Sequence, residues 1–374
     1  MFLGVNHLEL NWHNALSTRK ENGHLRRLRP PNEGCDFYSN DYLGLSADAA
    51  FQQTIYEAIG RDTRLLTGST GSRLISGNSD AATGAEKRIA TAHQVEDALL
   101  FPSGYKANLA LFSCIAGRHD TIIVDELIHR SVHDGCLMST ARKWKFRHND
   151  LTHLEALLKK AIGNVVIAVE SLYSMEGDFA PLGAIVALAK KYQAGIVVDE
   201  AHAIGVFGKG LVHRAGLQQE MLATVVTYGK AMGVQGAAVL GTHLLKEYLV
   251  NFAAPFIYST GMPGVQIVSI TAAYDHLERH PALAITLQDR IRHFRQYQLS
   301  HLSQESSPIQ SVQFQHDGEL RAVTQALAEA GIGAYALFPP TVGQARLRVS
   351  IHAFNSHDEI DQLCGIIQQY EYRK

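Results

Sequence analysis

A chain of 374 residues with 46% hydrophobic content can bury a large core, and it is longer than one core usually serves, so two or three domains are expected. The formal charge is −2, with no acidic tail and no basic block longer than Arg26, Arg27 and Arg29. That balance gives no electrostatic case for nucleic acid or for an anionic membrane surface.

The first residues, MFLGVNHLELNWHN, have neither a basic lead nor a long apolar stretch, so no signal peptide is expected. No run of about 18 apolar residues suggests a membrane span. Cys35, Cys114, Cys136 and Cys364 are scattered without C-x-x-C spacing and read as free thiols of a reducing compartment, which points to a soluble cytoplasmic protein. Residues 8–29 place Leu8, Trp12 and Leu16 at helical spacing and then turn basic, as an arm would. A breaker, PPNEG, precedes the aromatic and turn-forming DFYSNDYLGL, and a short helix is expected over 49–60. Glycines 68, 71, 77 and 84 then favour a loop close to a ligand or another backbone, before a helix over 84–93.

From there apolar runs at 98–101, 122–124, 165–169, 196–198, 225–227 and 237–240 alternate with amphipathic stretches such as 151–161 and 182–192. This alternation predicts an α/β fold with a mostly parallel sheet covered on both faces, whose ligands bind outside the carboxyl ends of the strands. The segment SGYKAN (103–108) falls between a strand and a helix, where backbone N–H groups and the helix dipole suit a phosphate. After Pro263 a long helical region is expected to about residue 301. The chain then changes character, with a weak strand over 309–314, a helix over 318–330, an alternating strand over 346–351, and a final amphipathic helix carrying Ile360, Leu363, Ile367 and Tyr370. This suggests a smaller α+β domain; the boundaries read as an arm over 1–45, a large domain over 46–275 and a small domain over 276–374.

The chemistry concentrates on two strand exits. The run 195–198 leads into Asp199 and His202, and the β-branched run 224–227 leads to Lys230 between Gly229 and Gly233. An acid for a ring nitrogen, a donor for a ring hydroxyl oxygen and an amine for a Schiff base are what a pyridine cofactor requires. Taken singly, Asp199 could be a strand-end cap and Lys230 a solvated loop lysine. Asp199-Glu200-Ala201-His202 is also spelled by nucleotide-driven helicases, but the partner motif G-x-x-x-x-G-K-[ST] is absent: the required glycine is Ala203 before Gly208-Lys209 and Thr224 before Gly229-Lys230. His129 and His133 stand four apart on an expected helix, which is metal-ligand spacing, yet no third ligand presents itself and no H-E-x-x-H occurs. His129 follows a strand and could stack on a flat ring, whereas His133 reads as structural.

SNDYLGL (39–45), TGSTGSRLISGN (67–78), FPSGYKAN (101–108), DELIH (125–129), ESLYSMEGDFAPL (170–182), VVDEAHAIGVFGKG (197–210), TYGKAMGVQGAAVLG (227–241), IYSTGMPG (257–264) and PPTVGQARLRVS (339–350) together resemble the α-oxoamine synthases, in order and over nearly the whole chain. The resemblance implies a pyridoxal-phosphate-dependent acyltransferase of the aspartate aminotransferase type (fold type I), with a mostly parallel seven-stranded sheet and a smaller C-terminal domain. It implies that Lys230 carries the cofactor as an imine, Asp199 pairs with the pyridine nitrogen, His129 stacks on the ring, and Ser174 and His202 lie near the ring hydroxyl oxygen. Phosphate contacts are implied at Gly104, Tyr105 and Thr227, and from the partner subunit's Ser259 or Thr260, which would make the site a property of a homodimer. Asn40 and Arg348 match the residues near the amino-acid carboxylate, a task suited to a guanidinium fork, and Arg26 matches an arginine near the acyl-donor entrance. The forms of the motifs at 68–72, 258–263 and 339–348 favour L-alanine and a pimeloyl thioester, on coenzyme A or a carrier protein. A sister synthase using glycine or serine, or a catalytically idle homologue, are the alternatives. Two departures stand out: a shortened linker over 30–36, and Ala231-Met232 after the lysine, expected to narrow the pocket floor.

Overall fold

The computed structural model describes residues 6–22, 25–28, 34–339 and 342–371. The chain separates into two units, residues 1–34 and residues 35–374. The first contains the helix α1 (His7–Glu21), capped by the Asn6 side chain, with Leu8, Trp12 and Leu16 exposed. The shortened linker falls largely on residues 29–33, outside the described residues.

The second unit is built on seven strands: β1 (Asp97–Phe101), β2 (Thr121–Asp125), β3 (Arg142–Phe146), β4 (Val165–Glu170), β5 (Gly195–Asp199), β6 (Ala223–Thr227) and β7 (Ala237–Gly241). They lie in the order β1-β7-β6-β5-β4-β2-β3, and β7 alone runs antiparallel to its neighbours. The runs of Val and Ile have no polar face because both faces are covered. Ile122, Val124 and Val197 pack into one apolar layer, while the alternate residues Ile123, Ile196 and Val198 pack into the opposite one. The sequence reading missed β3: its RKWKF pattern carries charge on exposed positions, as befits an edge strand guarded against further pairing.

The helices covering the sheet include α2 (Ala49–Arg61), α3 (Asp80–His93), α4 (Gly104–Cys114), α5 (Arg130–Met138), α6 (Leu151–Leu158) and α7 (Leu182–Tyr192). The long helical region expected after Pro263 consists of two helices, Gly264–Arg279 and Ala282–Arg295, divided because Pro281 cannot donate to the preceding turn. Beyond them β8 (Ile309–Gln313), β9 (Tyr335–Leu337) and β10 (Arg346–Ser350) form an antiparallel sheet in the order β9-β10-β8. Ile360, Leu363 and Ile367 of the last helix, His357–Glu371, are fully buried in the core that includes this sheet's Leu347 and Val349.

Residues 35–45, expected to belong to the arm, are stitched to this C-terminal layer. Cys35–Asp36 pairs in parallel with Ile332–Gly333. Ser350 N–H then donates to the Phe37 carbonyl at 2.7 Å, and Ala353 N–H to the Tyr42 carbonyl at 2.8 Å. These bonds hold Asn40 and Tyr42 beside Arg348 of β10.

Candidate active site

Parallel strands end together, and so do their last side chains. Glu170 of β4 and Asp199 of β5 are in register, both buried. Asp199 is the last residue of its strand. Its Oδ1 accepts from Ala201 N–H at 2.9 Å and its Oδ2 from Asn108 Nδ2 at 2.7 Å. Asn108 lies on α4 and also donates to Ser131 Oγ at 3.0 Å, which is 2.8 Å from His129 Nδ1. With Ser131 Oγ occupied as an acceptor, and Ser131 N–H also donating to His129 Nδ1 at 3.3 Å, the network assigns the His129 proton to Nε2. The close approach of α4 and α5 depends on Gly135, where a Cβ would come within 2.9 Å of the Asn108 carbonyl oxygen. His129 caps α5 from outside the helix, so it and His133 do not share a helix face as their spacing suggested. Burial lowers both histidines, His133 to about 4.

Glu170 differs from its neighbour: one carboxyl oxygen is buried without a hydrogen-bond partner. Burial, and then the Asp199 carboxylate, push it well above the usual carboxylate range.

Lys230 stands on the turn between β6 and β7, where Tyr228 N–H donates to the Gly236 carbonyl and Gly233 N–H to that of Lys230. Its Nζ lies 2.9 Å from His202 Nε2. His202 Nδ1 is 2.8 Å from the Tyr42 hydroxyl, which donates to Asn40 Oδ1 at 3.0 Å. Arg348 completes the chain, donating to Asn40 Oδ1 at 3.0 Å, to the Tyr42 hydroxyl at 3.3 Å and to the Ser174 carbonyl at 2.6 Å. Burial lowers the Lys230 ammonium below the ordinary lysine range, with Asp199 and Glu170 opposing and Arg348 reinforcing the shift. Burial, Lys230 and Arg348 hold His202 well below its ordinary value, so it is neutral.

A third feature lies at the start of α4. Ser103 caps the helix, its Oγ accepting from Lys106 N–H, while the N–H groups of Gly104 and Tyr105 precede the first intrahelical acceptor. Thr227, the last residue of β6, presses on Gly104 so closely that a Cβ there would collide with its Oγ1. A hydroxyl and free N–H groups thus meet at a helix N-terminus of positive potential, suited to a dianion. The Tyr105 ring meets the His129 ring edge to face at 6.4 Å, and its hydroxyl is bonded to Asp134.

The fold therefore brings Asp199, His202, Lys230, His129, Gly104, Tyr105, Thr227, Asn40 and Arg348 to the strand ends. Ser174 joins them through its carbonyl. Ser259 and Thr260 stand apart in the protomer: Ser259 Oγ donates to the Pro255 carbonyl, and Thr260 bridges to Ser72. Arg26 is exposed within the first unit. Ala231 and Met232 are buried in the core. Asn108, Ser131, Tyr42 and Glu170 escaped the sequence reading, although Tyr42, Asn108 and Glu170 lie inside motifs singled out there. Their signal is a polar residue amid buried apolar ones next to a strand end.

The family model for class I and II aminotransferases matches residues 32–367. The chain belongs to that family. An 8-amino-7-oxononanoate synthase of Chromobacterium violaceum is 38% identical over 88% of this chain and 88% of its own. One from Marinobacter nauticus is 35% identical over 87% and 84%. Among solved structures, an 8-amino-7-oxononanoate synthase from Francisella tularensis superposes with a TM-score of 0.79 at 29% identity, covering 91% of this chain and all of that one. The serine palmitoyltransferase of Sphingomonas wittichii gives 0.85 at 25%, over 99% and 98%. The protein is thus an α-oxoamine synthase of fold type I, a pyridoxal-phosphate-dependent acyltransferase. Its residues fit that cofactor: a carboxylate oriented by two N–H donors, a half-buried amine, and a helix N-terminus that a Cβ would fill. No helix among the described residues is long and apolar enough to cross a membrane.

Proposed function

We propose that the protein condenses L-alanine with a pimeloyl thioester, carried by coenzyme A or a carrier protein, to give 8-amino-7-oxononanoate for biotin biosynthesis, carbon dioxide and the free thiol. The observation that carries the reading is the unbroken hydrogen-bonded chain from Lys230 to Arg348, which joins an imine-forming amine to a guanidinium able to grip an amino-acid carboxylate. The names carried by relatives at 35–38% identity favour alanine and the pimeloyl donor within the family.

Pyridoxal phosphate, when bound, supplies a carbonyl for an amine and a ring that draws electrons from the α-carbon. Lys230 would hold it through Nζ. Burial favours the neutral amine at Nζ, so Lys230 can then take the proton from the α-carbon and return it. Asp199, fixed by Ala201 and Asn108, would hold a proton at the ring nitrogen and so stabilise charge arriving there. His129 would lie against its ring, with His202 and Ser174 beside the ring hydroxyl oxygen. Gly104, Tyr105 and Thr227 bind the phosphate, with the partner subunit's Ser259 or Thr260 completing it in a homodimer. Asn40 and Arg348 orient the substrate carboxylate, and Arg26 attends the acyl donor. The thiols of Cys114, Cys136 and Cys364 accord with a cytoplasmic enzyme.

A second reading is favoured by the solved serine palmitoyltransferases: serine or glycine with another acyl thioester. Thiol release separates the two. L-Alanine with pimeloyl-CoA is expected to exceed glycine with acetyl-CoA and serine with palmitoyl-CoA by about tenfold or more in kcat/KM. No turnover with the first pair alongside turnover with another would remove the assignment. Light scattering tests the dimer.

A further inference from the structure

We propose that Arg346 is a positioning residue: by keeping the Glu176 carboxylate occupied, it leaves Arg348, two places along the same strand, free to meet the carboxylate of the amino acid. Leu347 and Val349 of β10 point into the core, so the period of two sends Arg346 and Arg348 together to the opposite face, where both are 6% exposed. The two guanidiniums look onto one loop, the segment 174–178 after β4, and find different partners there. Arg346 Nη1 donates to Glu176 Oε1 at 3.1 Å, and its Nε to the Gln344 carbonyl at 3.2 Å. The acceptors of Arg348 are neutral: the Ser174 carbonyl, Asn40 Oδ1, the Tyr42 hydroxyl and, at 2.9 Å, Ser350 Oγ. These bonds satisfy N–H groups without cancelling the charge. The ion pair that Arg346 has made, Arg348 still has to make.

Holding the loop in place does not need the Glu176 side chain. Ser303 Oγ donates to the Glu176 carbonyl at 2.7 Å, and Gln304 N–H to the Gly177 carbonyl at 3.0 Å. Gly177 approaches β8 so closely that a Cβ there would collide with the Ile309 carbonyl oxygen, and Asp178 is bonded to His148 and Asn149. The course of the loop is thus fixed by its backbone and by Asp178, which leaves the charge of Glu176 to be explained. Burial raises its carboxyl, with Arg346 first and then His148 opposing. Two residues of strand span about 7 Å, within reach of a glutamate and an arginine side chain moving towards each other. A carboxylate released from Arg346 would therefore bind Arg348 from inside the protein, and the substrate would have to displace it. Arg346 prevents that competition.

The inference rests on the proposed role of Arg348 towards the amino acid. In holoenzyme without thioester, the Kd for L-alanine is read from the change it causes in the visible cofactor band. Arg346→Met keeps an unbranched apolar stem and removes the charge; it is expected to raise that Kd by about tenfold or more, while the Kd of apoprotein for the cofactor stays within about threefold of wild type. Arg346→Met/Glu176→Gln removes the competitor as well, and should bring the Kd for L-alanine back to within about threefold of wild type. A clasp that only holds the loop predicts a double variant no better than the single one, and that result overturns the proposal. So does an unmoved Kd in folded Arg346→Met, as when Glu176 simply takes up a proton. If Arg346→Met does not fold, Glu176→Gln decides: with no carboxylate to hold back, the Kd should not rise, and a rise of about tenfold overturns the proposal. Should L-alanine leave the band unmoved while glycine or serine shows the same loss and recovery, the substrate assignment fails and the role of Arg346 stands. Should Arg348→Lys bind the amino acid as tightly as wild type, the carboxylate role of Arg348 falls and the proposal falls with it.

Discussion

Two hydrogen-bonded networks face each other across the strand ends, and they are built differently. The first, Asp199–Asn108–Ser131–His129, draws on connections of the large sheet and surrounds one carboxylate with neutral donors. The second, Lys230–His202–Tyr42–Asn40–Arg348, gathers two basic side chains around a neutral histidine and needs residues from near both ends of the chain. The first network needs only the large sheet and the helices packed on it, whereas the second exists only once residues 35–42 have paired with the C-terminal layer.

Breaking the networks one at a time sharpens that distinction. The largest effect is expected from Lys230→Ala, which removes the covalent attachment: the visible band of the holoenzyme should vanish and kcat fall by about 10³-fold or more in thiol release. Gly104→Ala puts a methyl group against Thr227 Oγ1 and should raise the Kd for the cofactor by about 10–100-fold in a fluorescence titration of apoprotein, touching neither network. Asn108→Ala leaves Asp199 Oδ2 without its donor, a loss of about 1–3 kcal/mol. Its kcat should fall at least about tenfold while KM for the amino acid holds; a rise in KM alone would show that the two networks are not separate. The smallest effect lies outside both. His148 is bonded to Asp125 at 3.0 Å and Asp178 at 2.8 Å, and these carboxylates outweigh burial and push it up to about 10. A folded value above the unfolded one, about 6.5, means that this contribution is complete below pH about 6.5 and is lost as pH rises towards 10. Denaturation between these limits should show wild-type stability falling, and His148→Gln should flatten the fall.

The first network was half legible in the sequence, because Asp199 and His129 follow recognisable strands. Asn108 and Ser131 were not, since their task arises from α4 and α5 meeting at Gly135, a contact that no local pattern encodes. Of the second network, Lys230 and His202 are legible at the exits of two apolar runs, while Asn40 and Arg348 come from motif resemblance alone. Tyr42 was passed over as one more aromatic in a turn, because its role depends on Arg348, 306 residues away. The same reason explains the fold's surprises. Uninterrupted apolar runs declare the central strands, but β3 is an edge whose charges break such a run, and Pro281 divides a helical region whose apolar pattern runs on regardless.

The one antiparallel neighbour in the large sheet carries a last consequence. Because β7 turns straight back beside β6, with Thr227 opposite Ala237, the segment bearing Lys230 is anchored in the ladder at both ends. Between those ends Tyr228 N–H and Gly233 N–H bond to the Gly236 and Lys230 carbonyls, so the turn is tied across itself and the reach of the amine is set by the lysine's own side-chain torsions.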